Sequence, residues 1–182
     1  MPGAQGWFPS PLRALAALDL RLLRLLRTRG HTPGLERAMI RLAQAGENGL
    51  LWNAIAVAGG VVSARRRDDY VRAVEIVLAT LVLNTGVKYA VRRARPVLGE
   101  ELPALTPVLS GRSYPSAHAS TSFAGARALA AAGLPSAPLH AVAAAMALSR
   151  PYLGVHYPSD VLAGALLGDA VARLMSRRPQ SA

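Results

Sequence analysis

The chain has 182 residues, 52% of them hydrophobic, with a formal net charge of +11, a mean hydropathy of +0.26 and a pI of about 11.4. A length in the usual range for one domain gives no reason to look for a second, and a soluble domain rarely joins so apolar a composition to so large a charge. Cysteine is absent, which excludes disulfides, thiolate metal sites and cysteine nucleophiles, and an aromatic content of 5% speaks against a stacking platform for single-stranded nucleic acid.

In chain order, residues 1–10 show no basic stretch followed by an apolar core and a cleavage site, so membrane targeting is expected to be internal. Residues 11–29 repeat Arg13, Arg21 and Arg24 at helical spacing against Leu and Ala, the pattern of an amphipathic helix lying in a membrane interface. Pro33 between Gly30 and Gly34 breaks it, and residues 35–45 form a second short amphipathic helix. Residues 50–64 are apolar but shorter than the ~20 residues a perpendicular span needs. Residues 70–94 are the best transmembrane candidate, with an apolar centre and a basic end that stops at Pro96. A loop rich in Pro and Gly over 97–114 precedes a small-residue helix opened by Pro115 and closed near Gly133. An apolar stretch over 139–149 is interrupted by Pro151, and a last helix follows Pro158, with Gly164 and Gly168 spaced for close helix approach. The expected fold is therefore all-α, an integral-membrane bundle of about four to six membrane helices in a single domain over residues 1–182. Residues 1–47 form its amphipathic N-terminal part and 48–178 its membrane core.

Lys88 and Arg95 end one of these helices, Ser116 and His118 begin the next, Arg150 ends the third, and His156 and Asp160 begin the last. Helices crossing a membrane alternately would bring all seven to one surface. Seven residues apart on a helix, Lys88 and Arg95 would share a face and meet a common anion. Ser116 stands where a helix N-terminus favours negative charge, and Arg150 offers a planar fork matched to phosphate oxygens. Asp160, four residues after His156, can fix its tautomer and leave the other ring nitrogen to attack phosphorus, while His118 can protonate the leaving alkoxide.

Three motifs carry these residues: K-x6-R-P over 88–96, P-S-A-H over 115–118 and S-R-x5-H-x3-D over 149–160. Their order and spacing resemble the type 2 phosphatidic acid phosphatase superfamily, which includes lipid phosphate phosphatases, class A bacterial acid phosphatases and vanadium haloperoxidases. The resemblance implies a phosphohistidine on His156, His118 as acid and then as activator of water, no metal or other cofactor, and Lys88, Arg95, Ser116 and Arg150 as phosphate ligands. Ala117 stands in the phosphate-binding motif where the family commonly has Gly. Within the superfamily, the short chain and basic amphipathic N-terminus look most like small actinobacterial membrane phosphatases acting on polyprenyl-linked substrates. The implied activity is hydrolysis of a phosphate monoester of a membrane lipid, polyprenyl-linked or phosphatidate-type, by a multi-pass protein of the cell membrane.

Each residue alone has a plainer explanation. Lys88, Arg92, Arg93 and Arg95 would serve as a membrane-flanking basic cluster, Ser116 as a helix cap, and Asp160 as an acid at a helix start. Joint occurrence at fixed spacing sets these aside, whereas His31 and His140, outside the motifs, are read as structural. The basic surface is expected to meet anionic lipid rather than nucleic acid, and the small residues of the last helix permit a homodimer without requiring one. The alternatives are a vanadate-dependent haloperoxidase, which would use the same cradle, and a non-catalytic binder of anionic lipid or nucleic acid.

Overall fold

The computed structural model describes residues 10–108 and 110–176, the side chains of residues 10–13 excepted. The expected contributions of the Arg13 side chain, Arg177 and Arg178 fall outside these. The described residues form seven α-helices: α1 (Ser10–Thr28), α2 (Pro33–Ala45), α3 (Leu50–Val62), α4 (Arg67–Val91), α5 (Ala117–Ala131), α6 (Ser136–Tyr152) and α7 (Pro158–Ser176).

The breaks between helices follow local chemistry. Thr32 accepts a hydrogen bond from Leu35 N and so caps α2, with Pro33 in its first turn. Gly49, at φ 75, starts α3 from a left-handed conformation that side chains resist. Of the boundaries that differ from the sequence expectation, three bear on the site. α4 stops at Val91 instead of running on to 94, because Arg92 turns left-handed (φ 56) and its N–H closes on Lys88 O at 3.2 Å. α5 begins at Ala117 with Ser116, not Pro115, at its N-terminus. α6 absorbs Pro151 in its last turn, which Leu153 N–H to Ser149 O and Val155 N–H to Arg150 O close at 2.9 and 3.1 Å.

α5 is the axis of the bundle, touching α3, α4, α6 and α7. Its small residues make that position available: Ala119, Ala124, Ala126 and Leu129 are fully buried, and so are Ser116, Ser120, Thr121 and Ser122. Each buried hydroxyl has a local partner; Ser120 Oγ donates to Ser116 O at 2.9 Å and accepts from Asn84 Nδ2 at 2.8 Å. Trp52 of α3 packs against Gly125, where a Cβ would stand 2.6 Å from the indole, and donates Nε1–H to Ser122 Oγ at 3.0 Å.

α7 approaches α5 still more closely. A Cβ on Gly164 would stand 2.5 Å from Ser116 O, and one on Gly168 would stand 1.9 Å from Ser120 O. Both glycines thus serve contacts inside the chain. Gly168→Ala should part the two helices that carry the site, at a cost of about 3 kcal/mol, the upper range for overpacking. At about 2–4 °C per kcal/mol for a chain of this size, a fluorescence melt in detergent reads the change. Gly86→Ala, where a Cβ meets nothing within 4 Å, should leave the midpoint in place.

The outer surface inverts the soluble pattern. Val57, Val61 and Val62 of α3, Val82 of α4, Leu148 of α6 and Leu162, Leu166 and Leu174 of α7 are all exposed, Val62 by 86%. Among the described residues one helix, Ala64–Val91, is long and apolar enough by itself to cross a membrane.

Candidate active site

The C-terminal ends of α4 and α6 and the N-terminal ends of α5 and α7 meet at one end of the bundle. There they enclose a cavity of about 440 Å³ whose wall includes Lys88, Arg95, Ala117, His118, Arg150 and His156. Six of the eight residues singled out from the sequence line it. The other two stand just behind. Ser116 is fully buried, its Oγ accepting from Ala119 N at 3.5 Å as an N-cap, and Asp160 is fully buried behind His156.

Arg95 does not reach the cavity along a helix face. The segment after α4 pairs with the strand-like stretch before α5, through Ser113 N–H to Arg93 O (2.8 Å) and Arg95 N–H to Gly111 O (3.2 Å), about an antiparallel bridge between Ala94 and Arg112. The expectation that Lys88 and Arg95 share one helix face is corrected accordingly; this clip, braced by the left-handed Arg92, aims Arg95 inward. The Arg95 guanidinium donates Nε–H to Ser110 O and Nη1–H to Val155 O, both at 2.7 Å, and Nη1 lies 3.1 Å from His156 Nε2.

That last contact sets the His156 tautomer. An arginine has no lone pair to offer, so Nε2 accepts and the ring proton sits on Nδ1. Nδ1 lies 3.4 Å from Asp160 Oδ2, without the alignment of a formed hydrogen bond. Asp160 is fixed from elsewhere, Oδ2 accepting from Tyr157 N at 2.9 Å and Oδ1 from Arg93 Nη1 at 2.8 Å. Burial is the main reason that the His156 pKa falls to about 4; the Arg95 and Arg150 cations push the same way and Asp160 opposes them. At neutral pH the ring is uncharged, with its Nε2 electron pair accepting from Arg95.

His118, across the cavity, donates Nε2–H to Ala43 O at 2.8 Å, with Glu47 Oε2 at 3.7 Å. Lys88 Nζ donates to Arg112 O at 3.3 Å. Arg150 is 4% exposed and its Nε has no hydrogen-bond partner among the described residues. Arg112 also lies on the wall, stacked 4.0 Å over Tyr89 with Nη1 buried and likewise unpartnered. Of five charged side chains on the wall, Lys88, Arg95, Arg112 and Arg150 are cations and Glu47 is the carboxylate. Buried guanidinium N–H groups without partners are costly unless an anion meets them. A tetrahedral oxyanion fits the donor set, and the first turn of α5 adds the positive end of a helix.

Sequence reasoning missed two further residues. Arg93 sits inside the K-x6-R-P interval and was assigned to the flanking basic cluster, yet it binds Asp160. Asp19 is the one carboxylate on arginine-rich α1, and that oddity was its signal.

A helical bundle with an anion cradle and a buried histidine–aspartate pair at one end defines a class of phosphoryl-handling protein. The PAP2 superfamily profile matches residues 69–181, and the chain belongs to that superfamily. It is 37% identical over 149 residues to decaprenylphosphoryl-5-phosphoribose phosphatase of Mycobacterium tuberculosis, covering 79% of this chain and 80% of that one. The crystal structure of Aquifex aeolicus LpxE superposes with a TM-score of 0.74 at 26% identity, over 87% of this chain and 94% of that one. A transmembrane PAP2-type phosphatidylglycerolphosphate phosphatase from Bacillus subtilis has the same fold, with a TM-score of 0.71 at 23% identity over 89% and 84% of the two chains.

Proposed function

We propose that the chain is a metal-independent lipid phosphatase that hydrolyses a phosphate monoester on a polyprenyl-linked substrate, of the kind named for its mycobacterial relative. The observation that carries this reading is the His156 Nε2 lone pair, turned toward a cavity walled by four cations. In the first step Nε2 bonds to phosphorus, the ester P–O bond breaks, and His118, having taken up a proton as the phosphate anion binds, gives that proton to the departing alkoxide oxygen. In the second, His118 takes a proton from water, the water oxygen bonds to phosphorus and the N–P bond breaks, releasing phosphate and restoring both rings. Asp160 holds the Nδ1 proton as positive charge grows on His156. Lys88, Arg95 and Arg150 take the equatorial oxygens, aided by the backbone N–H of Ala117, and the Ser116 hydroxyl keeps its own proton to donate while accepting from Ala119.

The exposed valines and leucines of α3, α4, α6 and α7 support a multi-pass arrangement in which they face lipid tails, with α4 as the full-length span and the shorter helices packed around α5. α1, whose leucines at 15, 18, 22 and 25 are exposed, lies in the interface at the site end. Residues 1–182 are read as one catalytic domain.

The test is phosphate release in detergent from polyprenyl-phosphoryl and phosphatidate substrates in excess EDTA. Release should survive chelation, be faster on the polyprenyl-linked substrate and fall about 10² to 10⁴-fold in His118→Ala, the range for loss of a general acid. Metal-dependent release would overturn the mechanism, and halide oxidation with vanadate in place of phosphate release would overturn the reaction.

A further inference from the structure

Between α1 and the site runs a chain of charged contacts that the proposed chemistry does not use. Asp19, in the middle of α1, is 7% exposed despite its charge. Its Oδ2 meets Arg93 Nη2 at 2.7 Å, its Oδ1 accepts from Ser159 N at 3.0 Å, and its Oδ2 accepts from Ser159 Oγ as well. The other end of the same guanidinium donates from Nη1 to Asp160 Oδ1 at 2.8 Å and to Ser159 Oγ at 2.7 Å, and the plane lies 4.0 Å over the Tyr157 ring. Arg93 thus stands as a planar bridge between a carboxylate on α1 and the one behind His156.

We infer that Asp19 is a positioning residue for the reaction: by fixing the Arg93 fork it sets the Asp160 carboxylate against His156, and it makes the seating of the interfacial helix α1 part of the active site. The inference rests on the phosphatase reading. Three features carry it. Burying Asp19 is costly unless each oxygen is paired, and its partners come from the two segments that frame the site. Arg93 needs two fixed carboxylates to hold its orientation, since it is 30% exposed on its side chain and would otherwise be free to turn toward water. Neither Asp19 nor Arg93 lines the cavity, so their influence must pass through Asp160. Asp160 in turn lacks an aligned bond to His156 Nδ1, which leaves that distance sensitive to where Arg93 holds the carboxylate. A supporting residue that orients a reacting side chain in this way is ordinarily worth about 10- to 100-fold.

The test compares kcat and KM for Asp19→Asn, Asp19→Glu, Arg93→Lys and Leu23→Ala on a short-chain, water-soluble phosphate monoester in detergent, where anchoring to a bilayer plays no part. Asp19→Asn is expected to lower kcat about 10- to 100-fold with KM within threefold. Asp19→Glu should recover part of the loss. Arg93→Lys, which cannot bridge two carboxylates, should lose as much as Asp19→Asn. Leu23→Ala removes a fully buried apolar contact of α1 and leaves the ion chain intact, so it controls for a loosened helix; it should lower the melting midpoint and spare kcat. Unchanged kcat in Asp19→Asn, a loss confined to KM, or an equal loss in Leu23→Ala at a matched drop in midpoint would each overturn the inference. A wild-type protein that releases no phosphate would instead overturn the phosphatase reading, and the inference with it.

Discussion

His156→Ala should lower phosphate release by about 10⁴-fold or more, to the level supported by the cradle alone. The argument lies in the ring's surroundings. At 2% exposure, with Arg95 at Nε2 and Asp160 behind Nδ1, His156 is uncharged and oriented before substrate arrives, and no second ring among the described residues shares that setting. The same burial predicts the pH profile. With a pKa lowered to about 4, Nε2 keeps its lone pair down to that pH and loses it below. The kcat/KM of the wild type, once the substrate's own second ionisation near ~6 is divided out, should therefore stay flat through pH 5 and fall only as pH approaches 4. A solvated histidine would fall through ~6.5. An acid limb there, or activity retained in His156→Ala, would show that another group attacks.

The sequence made the helical content and the meeting of the motifs at one end legible, because apolar periodicity and the alternation of helix ends carry both. It left hidden how Arg95 arrives. Seven-residue spacing reads as a shared helix face only if the helix continues, and nothing local announced that Arg92 would turn left-handed to serve a bridge with Arg112. Asp19 and Arg93 were illegible for a related reason. Their contacts join residues far apart in the chain, 74 positions in one case and 67 in the other, and a charged residue's distant partner leaves no periodic trace. Gly164 and Gly168, by contrast, were read correctly as close-approach positions, since their spacing on one helix face does not depend on what lies opposite.

Arg95→Ala should cost about 10³-fold in kcat/KM, near the upper range for removing one donor aimed at developing charge. Three contacts explain so large an effect from a residue that forms no covalent bond. In the resting site, Arg95 donates to the lone pair with which His156 would attack, so an incoming phosphate must draw the guanidinium N–H from nitrogen to oxygen. Its bonds to Ser110 O and Val155 O anchor it while that exchange takes place, and the second of these also steadies the loop that presents His156. Arg95→Lys keeps a charge but cannot span two carbonyls and an anion from one plane, so it should recover less than a tenth of the lost activity. The alanine variant also removes a cation that holds the His156 pKa down, so its acid limb should move upward from about 4. A variant that loses rate with its acid limb unmoved would place Arg95 on the substrate alone, while a limb that rises as the rate falls is the signature of one arginine serving both nucleophile and phosphate.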